Sequence, residues 1–149
     1  MIISIAQAKV TDVNAIFKIE QESFTSLWPK SLFINEIHSE GSFVLCAKAS
    51  RKIIGYICAM FAYDEAHITN IAVRKAYRRA GVATSLIKAA IEYAEKNSII
   101  QSIVLEVRVS NEAALALYEK SGFEIISLRP GYYSDGEDAY IMQRHLVRG

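Results

Sequence analysis

The stretch "VRKAYRRAGVATSLI" (73–87) crowds Arg74, Lys75, Arg78 and Arg79 ahead of Gly81; there the charge stops and an apolar run of helical character begins. A strand ending near Val73, a tight glycine turn and a helix start leave the backbone N–H groups of the turn and first helical turn unpaired. They point into one concavity, with the positive end of the helix dipole behind them. Such a cradle suits a pyrophosphate. Hydrogen bonds to a charged group are worth about 1.5–3 kcal/mol each, against about 0.3–1 kcal/mol for the dipole, so the donors dominate and Arg78 and Arg79 add charge at the rim. Gly81 lets the backbone approach the phosphates, and the small Ala83 avoids crowding them. The same residues also read as a solvated charged turn. Neither GxxxxGK[ST] nor GxGxxG is present, which argues against a nucleotide triphosphatase and a dinucleotide site and leaves a phosphate-bearing carrier held in another layout.

Glu106 is the second residue that chemistry claims. It interrupts the apolar strand "SIVLEVRV" (102–109), with Val104 and Arg108 on its face. A carboxylate in such a low-dielectric setting is expected to have its pKa pushed upward, which suits a general base; an ion pair with Arg108 or another base is the structural alternative. Tyr118 lies two turns into the helix "NEAALALYEKSG" (111–122). Its phenol, with a reference pKa near 10, is a proton carrier, yet its spacing from Ala114 and Leu115 equally fits a core position. Asn111 reads as the N-cap of that helix.

The elements that must position these groups follow from periodicity. Residues 2–8 predict a short strand, and 11–24 a helix capped by Thr11 or Asp12, with Val13, Ile16, Phe17, Ile19 and Phe24 mainly on one side. A short helix follows Pro29. Residues 42–49, 53–62 and 66–73 predict an antiparallel meander, 81–97 an amphipathic helix, and "FEIISL" with "AYIMQRHL" a final strand pair. The order β, α, α, β, β, β, α, β, α, β, β describes a mixed α/β sheet, mostly antiparallel, with helices on its faces.

The 149 residues, 52% hydrophobic and 22% charged, suit a single domain over 1–149. A net charge of +1 gives no electrostatic case for nucleic acid. No leader pattern opens the chain and no apolar run reaches the roughly 18 residues of a membrane span, so a soluble, cytoplasmic protein without a membrane partner is expected. Cys46 and Cys58 lie in apolar strands without CxxC spacing, and His38, His67 and His145 are scattered. Buried thiols, no disulfide and no metal site are the expectation.

Arg78, Gly81 and Ala83 match the [RQ]-x-x-G-x-[GA] signature of the GNAT acetyltransferases, and the chain resembles that family over nearly its whole length. "NIAV" (70–73) is similar to the strand that holds pantetheine, and "LEVRVSNEAALALYEKSGF" (105–123) to the second half of the cofactor site. With "YYSDGEDAYIM" (132–142), it looks most like the N-terminal protein acetyltransferases of the RimI and archaeal Ard type. The resemblance implies the GNAT fold and acetyl-CoA, bound by Ile71, Ala72, Val73, Arg78, Arg79, Ala80, Gly81, Val82, Ala83, Thr84, Asn111 and Tyr118. It implies Glu106 as base for the acceptor amine and Tyr118 as acid for the departing CoA thiolate. The acceptor implied is a protein N-terminus or peptide, a ribosomal protein or nascent chain among them, pinched between Phe24, Leu27 and Trp28 of one loop and Tyr132 and Tyr133 of another. "YYSDGEDAY" departs from bacterial RimI toward the Ard pattern, which puts a single dedicated ribosomal substrate in doubt. An acetyltransferase for a small-molecule amine and a non-catalytic acyl-CoA-binding module are the alternatives.

Overall fold

The computed structural model describes residues 1–146; the last three positions of the domain expected over 1–149 lie outside them. Seven strands form one sheet: β1 (Ser4–Gln7), β2 (Ser42–Ala49), β3 (Lys52–Ala62), β4 (Glu65–Val73), β5 (Ser102–Arg108), β6 (Glu124–Arg129) and β7 (Ala139–His145), in the order β1-β2-β3-β4-β5-β7-β6. Four helices, α1 (Val13–Ser23), α2 (Lys30–His38), α3 (Val82–Glu95) and α4 (Glu112–Lys120), complete it. The predicted elements are all present. Two short 3-10 turns, Val10–Asp12 and Lys75–Tyr77, are additional. The first corrects the expected start of α1: Asp12 accepts from the Lys9 amide at 2.8 Å and closes the 3-10 turn, so the α-helix opens at Val13.

All ladders are antiparallel except β4 with β5, which runs only from Glu65–His67 against Ser102–Val104. Beyond it the two strands diverge, because Thr69 is an extra residue in β4: Cys58 pairs with Asn70, and Ala59 with Ile68. The gap this opens between the C-terminal halves of two central strands is where a ligand can enter the sheet.

One core packs α3 against one face through Val82, Leu86, Ile87, Ala90 and Ala94, spaced as an amphipathic helix requires. The other packs α1 and α2 through Val13, Ile16, Ile19 and Phe33 onto Val44, Cys46, Tyr56 and Cys58. Cys46 and Cys58 are buried free thiols, as expected, and burial pushes the Cys46 thiol up to about 12. Glu20 sits inside this second core, 1% exposed. Its carboxylate accepts from the Tyr56 hydroxyl, the Trp28 amide (2.8 Å) and the Asn70 amide (3.2 Å), tying the α1–α2 loop to the bulged part of β4. Helical spacing places Glu20 on the apolar face of α1, seven residues after Val13 and four after Ile16, but gives no hint of these donors, which come from β3, β4 and the α1–α2 loop.

Candidate active site

Gly81 stands at the N-terminus of α3 with φ +80°, and a Cβ built on it meets nothing within 4 Å. The first intrahelical bond is Ser85 N–H to Gly81 C=O at 3.1 Å, and no side chain caps the helix. The Val82, Ala83 and Thr84 amides thus have no i−4 acceptor and face outward past an unobstructed glycine. A cavity of about 260 Å³ lies there, lined by Arg78, Arg79, Gly81, Val82, Ala83 and Thr84. A second, of about 330 Å³, shares Val73, Arg78 and Ala83 with it and continues along Phe24, Ile71, Ala72, Asn111 and Tyr118. Together they make a channel from the cradle to Tyr118, and the cradle fits a pyrophosphate.

Ala80, in the turn before Gly81, lines neither cavity. The two arginines differ. Arg78 Nε donates to the Val73 carbonyl at 3.1 Å and its Nη2 to Ser23 Oγ at 3.4 Å, so this guanidinium holds the turn against the end of β4 besides supplying rim charge. Arg79 adopts φ +65°, a left-handed position that a non-glycine residue occupies only under constraint. The cradle backbone is therefore fixed by its own turn. A β-branched residue at φ +80° costs about 1–2 kcal/mol, so Gly81→Val should raise KM for acetyl-CoA about 5–30-fold. Arg79→Ala should change it less than fivefold; steady-state titration of acetyl-CoA checks the order, and equal, negligible effects would remove the cradle.

Asn111 caps α4, accepting from the Ala114 amide at 3.1 Å, and also lines the channel. The helix ends in the paired bonds Phe123 N–H to Tyr118 C=O and Gly122 N–H to Glu119 C=O, both 3.0 Å, with Gly122 at φ +90°. That closure leaves Tyr118 fixed at the last turn, 6% exposed, its ring edge-on to Phe123 at 5.9 Å. Burial first, and then the nearby Tyr133, push its phenol up to about 12. A donor that weak transfers a proton to a thiolate, whose conjugate acid is near 8.5, only uphill. As the expected acid, Tyr118 is thus better suited to donate a hydrogen bond than to give up its proton.

Glu106 lies on β5 past the end of the β4 ladder. Its Oε2 is 2.5 Å from His67 Nε2, and its Oε1 accepts from the Tyr132 hydroxyl at 3.1 Å. Its pKa is lowered, not raised: burial alone would lift it, but the His67 and Tyr132 hydrogen bonds, His67 charge and Arg129 outweigh burial. The expected direction was wrong because the partners were missing. Nor does Arg108 pair with it. Arg108 instead donates to Asp135 (2.8 Å) and Glu137 (2.9 Å) and lies 4.0 Å over the Tyr133 ring, anchoring the 131–138 loop to the end of β5.

His67 is the residue that sequence reasoning missed. Glu65 and His67 share a face of β4 with Val104 and Glu106 of β5, but only the parallel register, set by contacts 39 residues apart, discloses it. Tyr132 and Tyr133 stack edge-on at 5.0 Å beside Glu106. Phe24 lines the channel. Leu27 is exposed, and Trp28 packs its ring on Phe33 at 5.3 Å. The arrangement brings one carboxylate–imidazole couple, one phenol and one anion cradle to the divergence of β4 and β5.

The profile of the acetyltransferase (GNAT) family matches residues 13–123. An N-alpha-acetyltransferase of Saccharolobus solfataricus is 33% identical over 96% of this chain and 93% of its own. The crystal structure of the ribosomal-protein-S18-alanine N-acetyltransferase from Escherichia coli superposes with TM-score 0.89 at 32% identity, over 99% of this chain and 96% of that one. That of Ard1 from Thermoplasma volcanium gives TM-score 0.89 at 28% identity, over 99% and 100%.

Proposed function

The chain belongs to the GNAT acetyltransferase family, and from that premise we propose that it transfers the acetyl group of acetyl-CoA to the α-amino group of protein N-termini, those of ribosomal proteins or nascent chains in the cytoplasm. The observation that supports this reading is the pairing of Glu106 with both His67 and Tyr132: a carboxylate–imidazole couple on β4 and β5 is tied by a hydrogen bond to the 131–138 loop.

Acetyl-CoA supplies the activated thioester; the chain supplies position and charge. The α3 amides and Arg78 hold the pyrophosphate, and the diverging end of β4 exposes the backbone of Ile71–Val73 along the channel. The His67–Glu106 couple, joined at 2.5 Å, takes the proton of the amine. Tyr118 donates a hydrogen bond where the thiolate develops. An N-terminal amine, with reference pKa about 7.7–8.0, is neutralised far more readily than a lysine near 10.4, which favours the α-amine as acceptor.

The test uses short peptides with free and with blocked N-termini, a lysine-bearing blocked peptide and a polyamine, with the acetyl group located by tandem mass spectrometry. Acetylation confined to free α-amines is expected. Faster acetylation of the polyamine or of lysine in blocked peptides sinks the reading.

A further inference from the structure

Helices α1 and α2 pack on β2, β3 and β4, and the same face of the sheet continues over β5, β7 and β6. There it forms a cavity of about 500 Å³, within the range of ligand sites. His67 and Glu106 stand in one wall, Val104, Ile126 and Ile141 are its apolar lining, and Arg129 stands at the end toward the tyrosine loop. Register explains the grouping. Glu106 pairs with Ile141 and Ile141 with Ser127, so these side chains share a face. Ile126 is an extra residue between the pairs Ile125–Met142 and Ser127–Ile141. That bulge leaves it 54% exposed in a strand whose residues are all exposed. Bulges re-aim side chains beside functional sites.

Resting on the reading of the chain as a protein N-terminal acetyltransferase, we infer that this cavity is the subsite for the acceptor residues that follow the first, and that it takes an apolar side chain there. The argument is one of continuity. Any amine within hydrogen-bond reach of the His67–Glu106 couple lies at the mouth of this cavity, because the couple is part of its wall. The tyrosine loop closes the opposite side of Glu106 through the Tyr132 bond and its stack on Tyr133. A chain leaving the amine therefore has the open sheet before it. The charges facing the cavity are Glu65, His67, Glu106 and Arg129. Glu106 is engaged by His67 and Tyr132, and Glu65 accepts from Gln143 at 3.4 Å. Glu65 and Arg129 carry opposite charges on the lining, so neither sign of peptide charge is favoured overall, and the Val104, Ile126 and Ile141 lining decides.

The experiment pairs kinetics with cross-linking on the whole protein. With peptides carrying Leu, Ala, Asp or Lys at the second and third positions, the wild type should favour Leu. Ile126→Asp should raise KM for the Leu peptides about tenfold, shift the preference toward Lys, and leave the Kd of acetyl-CoA at its wild-type value. A peptide bearing a benzophenone side chain at the second position, irradiated in the presence of CoA, should label residues 124–129 or 139–143. Labelling confined to 24–28 or 132–133, or a KM indifferent to both peptide sequence and Ile126→Asp, overturns the subsite while leaving the α-amine chemistry standing. A wild type that acetylates polyamine but no peptide brings down the functional reading and the subsite together.

Discussion

Glu106→Gln should lower kcat for peptide acetylation by about 10²–10⁴-fold, the usual worth of one proton carrier. Glutamine keeps the shape of the side chain but removes the charge that His67 and Tyr132 now serve. The pH dependence separates this role from a structural one. The Glu106 carboxyl is held below the ordinary 4.5 in the fold, so it is ionised across the working range and its titration cannot set the acidic limb near neutrality. That limb belongs to the amine, with reference pKa about 7.7–8.0. A carboxylate held below its ordinary value is a weak final resting place for that proton, so in the proposed mechanism Glu106 acts together with His67 rather than alone. Raising the pH supplies neutral amine without help, and the ratio of wild-type to Glu106→Gln rates should shrink above about pH 9. A ratio flat from pH 6 to 10 removes Glu106 from proton transfer. Stability moves with the same sign: a lowered carboxyl pKa favours the fold above its unfolded value near 4.5 and loses that contribution as pH falls through the folded value. The variant should therefore show a shallower loss of stability at the acid end.

The elements were legible because each carries its own period. The strand "FVLCAKA", the helix "VATSLIKAAIEYAE" and the closing Gly122 state their structure locally, and the cradle could be read because a strand, a glycine turn and a helix are consecutive in the chain. What could not be read was register. The insertion of β7 between β5 and β6, the three-residue ladder of β4 with β5, and the bulges at Thr69 and Ile126 are settled by packing between distant segments. The site shows the cost of missing register. Glu106 was identifiable as a charge in an apolar strand, but its partner His67 was one scattered histidine of three, and without it the direction of the pKa shift came out reversed. Of the bases that could pair with Glu106, Arg108 is drawn off by Asp135 and Glu137 from a loop whose path no pattern announces, and His67 takes the place. Trp28 could be read either as lining an acceptor groove or as covering the core; its amide is held by the buried Glu20 and its ring packs on Phe33, contacts that no local pattern announces.

Tyr118→Phe should lower kcat by about 10–150-fold, the equivalent of one hydrogen bond to a charged group at about 1.5–3 kcal/mol. The binding of acetyl-CoA should change little, because the ring still packs on Phe123 and still lines the channel. The phenol's pKa of about 12 fixes the form of the effect. Against a thiol near 8.5, complete transfer is uphill by about 3.5 units, so in the proposed mechanism the hydroxyl keeps its proton and lends only its dipole as charge gathers on sulfur. Two consequences follow for the pH profile. A tyrosine at its ordinary value near 10 would impose a falling alkaline limb by pH 10, and the wild type should show none. Unlike Glu106→Gln, Tyr118→Phe should not recover at high pH, since a neutral amine does nothing for the leaving sulfur. Placing an electron-withdrawing group on that sulfur, in an acyl donor whose thiol is more acidic than CoA, should narrow the gap between wild type and Tyr118→Phe, because a better leaving group depends less on the donor. If the gap is unchanged across such donors, the phenol acts only as packing, and the charge on the departing sulfur must be met by the backbone amides of the diverging β4 strand instead.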